Sequence, residues 1–194
     1  MKREITRDDI LPMAEYKAMR KEHRRDLVEK KKNRRLDVGP VCTFYFESFE
    51  TMWSQVHEML FIEKGGEAQI SDELSAFNPL IPKGDELVAT VMFEIDDPAR
   101  RAALLGKLGG VEEAAFLRVA GEEIAGQPEA DVDRTNAAGK ASSVQFIHFK
   151  LTPEQIAKFR APGTEVVVGF THPEYGHRGV LPEAVRQALS QDFE

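Results

Sequence analysis

Residues 86–95, with the sequence ELVATVMFEI, form the clearest strand pattern in the chain and decide its fold class. Valine, threonine, isoleucine and phenylalanine make up much of this run, and β-branched and aromatic residues favour strands. Similar runs lie at 38–47, 142–151 and 164–170. We therefore expect a domain built around these four strands.

Helical patterns lie between and after the strands. Apolar residues recur at helical spacing from Phe49, and Gly65 supplies a stop. Asp97 followed by Pro98 is a typical helix start, and Thr152 followed by Pro153 is another. The predicted helices span 49–65, 71–77, 97–109, 152–160 and 181–193.

The order of these elements indicates the fold class. Helices and strands alternate irregularly, and no G-x-G-x-x-G motif follows a strand. Residues 111–126 predict two short strands hinged at Gly121, and the polar stretch 127–142 predicts an exposed loop. We therefore expect an α+β fold with a mixed or mainly antiparallel sheet and flanking helices, rather than a dinucleotide-binding doubly wound sheet.

The N-terminal 35 residues differ from the rest in charge and pattern. Thr6 or Asp8 can cap a long helix whose apolar stripe is thin, so that most of its surface should face water. We expect residues 1–35 to form a basic helical arm and residues 36–194 to form a single α+β domain.

Charge is distributed unevenly between these two parts. Residues 1–35 carry 13 Lys/Arg against 7 Asp/Glu, a net of +6, while residues 36–194 carry 13 against 26, a net of −13. Together they give the net charge of −7. A basic arm can bind nucleic acid or anionic lipid, or an acidic surface on its own chain or on a second copy. Because the acidic body would repel a phosphate backbone, we expect an acidic protein surface and no specific nucleic acid.

Composition limits the environment. No apolar run approaches the roughly 20 residues of a membrane span, and the N-terminus lacks the apolar core of a secretory signal. The single cysteine, Cys42, excludes an intrachain disulfide and a cysteine-based zinc site. We expect a cytoplasmic protein without a membrane partner.

The histidines are the strongest candidates for site chemistry. His172 and His177 flank Pro173 in THPEYGHRG, residues 171–179, at the end of a predicted strand. With His57 or His148 they could form a metal site for Fe, Zn, Mn or Cu, or a haem site. The alternative is that each histidine is a hydrogen-bonded structural residue, and the spacing H-x-x-x-x-H matches no zinc signature.

Several blocks of sequence resemble a known family. These are VGPVCTFYFESFETMWSQVHEML, IEKGG, ELSAFNPLIPKGDELVATVMFEID, DVDRTNAAGKASSVQFIHF and THPEYGH. Together they are similar to a bacterial family catalogued as domain of unknown function number 3501, and the resemblance covers essentially the whole chain. The family implies no established activity or catalytic residues. It implies a genomic setting beside rubrerythrin-like and iron–sulfur oxidoreductase proteins.

Two classes of function follow from these observations. The first is a metal- or cofactor-binding redox accessory protein that works with a rubrerythrin-like or iron–sulfur protein. The second is a non-enzymatic docking or assembly partner that uses the basic helix and the acidic body, with a second copy of the chain as one partner. The sequence leaves open whether the protein is an enzyme.

Overall fold

Two antiparallel sheets form the body of the protein. The structure is a computed structural model that describes residues 2–129 and 134–194, so part of the loop predicted at 127–142 lies outside the described residues. The strands are β1 (Arg35–Val38), β2 (Cys42–Phe46), β3 (Glu86–Phe93), β4 (Ala115–Val119), β5 (Glu122–Ala125), β6 (Gln127–Pro128), β7 (Val144–Lys150), β8 (Val166–Phe170) and β9 (Arg178–Val180). The first sheet has the order β1-β2-β3-β7-β6, and the second has the order β5-β4-β8-β9.

Helices flank the sheets, as expected for an α+β fold. They are α1 (Met13–Lys31), α2 (Phe49–Glu63), α3 (Glu67–Phe77), α4 (Pro98–Leu105), α5 (Pro153–Arg160) and α6 (Glu183–Leu189). The Asp97 and Thr152 side chains accept hydrogen bonds from the third residue of α4 and α5, so both predicted helix starts are confirmed. Of the helices described, none combines the length and apolar character needed to cross a bilayer.

Strand β3 shows how the sequence sorts residues between two cores. Successive side chains of a strand point to opposite faces of its sheet. Leu87, Ala89 and Val91 are buried in the core that also contains Val166 and Val168 of the second sheet. The other face of the first sheet lies under α2 and α3, in a second core that includes Val88, Met52, Val56, Leu60 and Ile70. The helices thus cover the face of the first sheet that the second sheet leaves open.

The strand expected at 38–47 is confirmed only from Cys42, as β2, and the strand β1 (Arg35–Val38) before it was not expected. Gly39 has φ +72°, in the left-handed region that favours glycine, and the chain reverses there to form a β1–β2 hairpin. The two short strands expected within 111–126 are confirmed as β4 and β5, which pair on either side of Gly121. Strands β6 and β9 were not expected from the sequence; both are short.

The N-terminal helix begins later than the sequence predicts. The Thr6 amide and hydroxyl both donate to Asp9 Oδ2 at 2.9 Å and close a short turn, but α1 starts only at Met13. Pro12 explains the delay, because proline lacks an N–H and disfavours helix in the residue before it. Ile5 and Ile10 are buried in the second core. Whether residues 1–35 can separate from the body as an arm stays a prediction.

Candidate functional site

Two side chains of α2 hold the segment that precedes α1. Trp53 Nε1 donates to the Asp9 carbonyl oxygen at 2.9 Å, and the Leu11 amide donates to His57 Nε2 at 3.1 Å. His57 Nδ1 lies 2.8 Å from the Trp53 carbonyl oxygen and must therefore carry the ring proton. Burial lowers the pKa of His57, which keeps this ring neutral. His57 therefore positions the backbone of the N-terminal segment.

Helix α1 is fixed to α2 by an ion pair. Arg20 Nε and Nη2 donate to the two carboxylate oxygens of Glu58 at 2.8 and 2.7 Å, and the Tyr16 hydroxyl donates to Glu58 Oε1 at 2.7 Å. The hydrogen bonds from Arg20 are the main reason why the pKa of Glu58 falls to about 2. Glu58 is partly buried by these contacts, with 19% of its side chain exposed. Its partners lie on α1, 38 and 42 residues away.

Between these elements lies an apolar groove, which we call the basic groove. It has a volume of about 640 Å³ and is formed by the segment before α1, the first turns of α1, the end of α2 and the start of α3. Its size is typical of binding sites. The floor is apolar and comprises Ile10, Leu11, Pro12, Met13, Leu60, Phe61 and Ile70.

The charged side chains around this floor, which we call the rim, are positive apart from Glu67, which pairs with Arg7. Lys17 and Lys64 line the groove, and Lys21 and Arg24 line an adjoining hollow that shares Lys17 and Phe61 with it. Within the part of the chain that the structure describes, none of these four cations forms an ion pair within 4.0 Å. A groove with an apolar floor and unpaired cations can bind a ligand that is both apolar and acidic.

Lys64 is held at the groove in an unusual conformation. It ends α2 with φ 56° and ψ 32°, in the left-handed helical region. A side chain with a Cβ pays roughly 1–2 kcal/mol for this conformation, and glycine is the usual residue at such a helix end. Gly65 and Gly66 follow directly. The left-handed conformation of Lys64 therefore ends α2 at the edge of the groove.

The structure places the histidines proposed as metal ligands in different surroundings. His172 Nε2 lies 3.1 Å from the Gly109 carbonyl oxygen, and its Nδ1 accepts from the Glu174 amide at 3.2 Å. His177 is exposed, and its ring centroid lies 4.5 Å from that of Tyr175. His172 thus has both ring nitrogens engaged by the backbone.

His148 lies on the first sheet between two carboxylates. Its Nδ1 is 2.9 Å from Glu86 Oε2 and its Nε2 is 2.7 Å from Glu129 Oε1. Burial lowers the pKa of His148, but the hydrogen bonds and charges of Glu86 and Glu129 outweigh burial and raise it above the usual value. The two carboxylates bind opposite nitrogens of one ring, so they cannot share a single metal ion with it.

These positions do not fit a metal site. Among residues 2–129 and 134–194, no group of three or more His, Cys, Asp and Glu side chains could hold a metal ion. His57, His148 and His172 would each have to give up hydrogen bonds to expose a ring nitrogen. The predicted site at His172, His177, His57 and His148 stays a prediction, and it requires rearrangement of these side chains.

The THPEYGH motif instead joins the two sheets. Tyr175 is buried, its hydroxyl donates to the Val38 carbonyl oxygen at 2.9 Å, and it accepts from the Val41 amide at 3.3 Å. Burial raises the pKa of Tyr175 to about 12. A Cβ on Gly39 would lie only 2.6 Å from the His177 ring. The motif therefore pins the β1–β2 hairpin of the first sheet to the loop that follows β8 in the second.

Comparison with known proteins assigns the family. The model of the family described as "Protein of unknown function (DUF3501)" matches residues 4–193, and the chain belongs to this family. The chain is also similar to a crystal structure of a novel protein of unknown function from Burkholderia pseudomallei K96243. The two are 34% identical with a TM-score of 0.90, over 98% of this chain and 99% of that chain. Among curated proteins, no relative matches the chain.

Proposed function

We propose that this protein is a docking protein that binds an acidic, amphipathic segment of a partner protein in the basic groove. The observation that carries the proposal is the set of four unpaired cations around an apolar floor. An amphipathic helix places its apolar side chains into such a groove at positions i, i+3, i+4 and i+7. Acidic residues on its flanks would then meet the rim.

The composition of the groove and the charge of the body favour an acidic protein segment over nucleic acid as the ligand. Phe61 is the one aromatic residue that lines the groove in the described part of the chain, so successive bases would have few rings on which to stack. The rest of the chain carries a net of −13 and would repel a phosphate backbone. Binding of duplex DNA should therefore be weak, steeply salt-dependent and insensitive to sequence.

The hypothesis of a redox accessory protein has two parts: a redox partner protein, and a metal or cofactor on this chain. The resemblance of the sequence implies a rubrerythrin-like or iron–sulfur protein, and such a partner could supply the acidic segment. A redox accessory role with Fe, Zn, Mn, Cu or haem on this chain needs the histidine site, which the present side-chain positions do not support. Metal analysis of the purified protein tests this role: stoichiometric metal that is lost in His172→Ala would favour it.

A peptide titration tests the docking proposal. The probe is a fluorescent helical peptide with leucine at the groove-facing positions and glutamate elsewhere, and its control has the same composition in scrambled order. We expect the ordered peptide to bind more tightly than the scrambled one, with an affinity that falls as salt rises.

Charge reversal then locates the binding. Lys17→Glu with Lys64→Glu should weaken binding at least about tenfold, because attraction at the rim becomes repulsion. Lys107→Glu is the matched control, since Lys107 is an exposed lysine outside the groove. Equal losses in the groove variant and the control would contradict the proposal. A dimer that the groove variant abolishes would identify a second copy, rather than a partner protein, as the occupant.

A further inference from the structure

A buried carboxylate lies at a second cavity, on the other side of α2 from the basic groove. Glu47 follows β2, and the residue is only 6% exposed. Its Oε1 accepts from the Thr90 hydroxyl and its Oε2 from the Thr51 hydroxyl, both at 2.6 Å. The residue also lies directly before Ser48, which caps α2. The positive end of a helix stabilises a negative charge at this position.

This carboxylate has no cation as a partner. Among the described residues, no Lys, Arg or His lies within 4.0 Å of the Glu47 carboxylate. Arg34 contacts Glu47 through the backbone: it donates to the Glu47 carbonyl oxygen at 2.6 Å, and its guanidinium pairs with Asp192. A buried charge without a countercharge is costly. The arrangement therefore leaves a place for a positive group from outside.

The adjoining cavity can hold an organic molecule. It has a volume of about 430 Å³ and lies between the first sheet and the helices α2 and α3. Met92, Val144 and Phe146 of the sheet and Phe77 of α3 line it. These side chains are only half-buried, so the helices do not fill the space above them. A mainly apolar cavity with a small number of charged or polar groups, here Glu47 and Lys31, is typical of small-molecule sites.

We infer that this cavity binds a small organic ammonium compound with an apolar body, whose positive group pairs with Glu47. The apolar body would lie against Met92 and Phe146, and the ring of Phe77 suits a nearby cation. The Phe146 ring already has a cation beside it, the Arg134 guanidinium at 4.6 Å from its centre. This inference is independent of the docking proposal, because the two cavities share no lining residue.

Lys31 can distinguish two kinds of ammonium ligand, a simple amine and an apolar amino acid. It lines the same cavity from the end of α1 and forms no ion pair in the described part of the chain. Its ammonium would repel a simple amine but would bind the carboxylate of an apolar amino acid. A simple amine and a zwitterion therefore respond oppositely to removal of this charge.

Calorimetric titration with three related probes tests the inference. Phenethylammonium and L-phenylalanine carry the positive group, and 2-phenylethanol lacks it. We expect at least one of the two ammonium probes to bind at millimolar concentration and more tightly than 2-phenylethanol. Lys31→Met should strengthen binding of phenethylammonium or weaken binding of L-phenylalanine, which identifies the source. The inference is overturned if neither ammonium probe binds, or if 2-phenylethanol binds equally well.

Two variants and a matched control locate the site. Glu47→Gln keeps an acceptor for Thr90 and should lower ammonium affinity about tenfold, the effect of losing one charge-assisted hydrogen bond. Glu112→Gln is the control, because Glu112 is also buried and accepts from a threonine hydroxyl, that of Thr135, but both residues lie outside the cavity. Val144→Phe, which leaves Glu47 intact, should fill the cavity and abolish binding. Unchanged affinity in either Glu47→Gln or Val144→Phe would overturn the inference.

Discussion

Arg20 and Glu58 form two parallel N–H···O bonds of 2.8 and 2.7 Å that join α1 to α2. The Arg20 guanidinium also lies 4.8 Å from the centre of the Phe61 ring, which forms part of the floor of the basic groove. The same arginine thus fixes the helix that carries the rim and packs on the floor beneath it. Such a two-point contact needs the planar guanidinium, which lysine cannot supply.

Loss of this ion pair should destabilise the protein in a pH-dependent way. Glu58→Gln should lower the free energy of unfolding by roughly 1–2 kcal/mol at neutral pH, since the pair is partly buried. The folded pKa of Glu58, about 2, lies below the unfolded value of about 4.3. Its contribution is therefore fully present above about pH 4.3 and is lost as the pH falls towards 2. Urea denaturation should show the two proteins converging over that range, and a constant difference would contradict the assignment.

Two substitutions of Lys64 should show that its effect on stability is independent of its effect on peptide binding. Lys64→Gly relieves the left-handed backbone strain and should raise the free energy of unfolding by roughly 0.5–1 kcal/mol. The same change removes a rim charge and should weaken peptide binding. Lys64→Ala is the matched control, because it removes the charge but keeps the strain. Thermal denaturation of both variants checks this, and a gain in stability for Lys64→Ala would show that charge, not backbone, is responsible.

His57 and His148 should respond to pH in opposite directions. The lowered pKa of His57 means that its contribution is lost as the pH falls below the unfolded value of about 6.5. The raised pKa of His148 means that its contribution is fully present below about pH 6.5 and is lost as the pH rises through the folded value. The deficit of His148→Asn relative to wild type should therefore shrink above neutral pH, while that of His57→Asn should shrink on acidification. Unfolding measured from pH 5 to 8 would refute this if both deficits changed in the same direction.

Gly39→Ala should strongly destabilise the contact between the sheets. The new Cβ would lie 2.6 Å from the His177 ring and 2.8 Å from the Tyr175 hydroxyl, at a φ of +72°. We expect the free energy of unfolding to fall by at least about 2 kcal/mol, from overpacking and backbone strain together. His177→Ala removes part of the overlap, so the double variant should recover part of this loss. Additive effects in the double-mutant cycle would show that the two residues do not meet.

Local patterns were sufficient to predict most elements but not their pairing. The β-branched run at 86–95 and the Asp97–Pro98 helix start depend on neighbours in sequence, and both are confirmed. The hairpin at Gly39 was missed because Gly39 and Pro40, which form its turn, were included in the strand expected at 38–47, and β1 before them was not expected. The division into two sheets depends on contacts such as Tyr175 with Val38, 137 residues apart, which no local pattern encodes.

The candidate site was harder to predict for the same reason. The sequence showed an excess of positive charge in residues 1–35 but not which cations stay unpaired. Lys17 and Lys64 lie far apart in sequence and line one groove only after α1 packs on α2. The i, i+4 spacing of Tyr16 and Arg20 on α1 was the available signal for their shared partner on another helix. The histidines drew attention by residue type, whereas their hydrogen bonds depend on distant backbone groups.

The docking proposal is tested most directly by mapping where the acidic amphipathic peptide binds. Amide chemical shifts of the isotope-labelled protein, recorded with and without the peptide, report this position residue by residue. We predict that the shifts change at residues 10–24 and 60–70, around the basic groove, and that Lys17→Glu with Lys64→Glu strongly reduces these changes at the same peptide concentration. Changes confined to other surfaces, or unaffected by the charge reversal, would contradict the account.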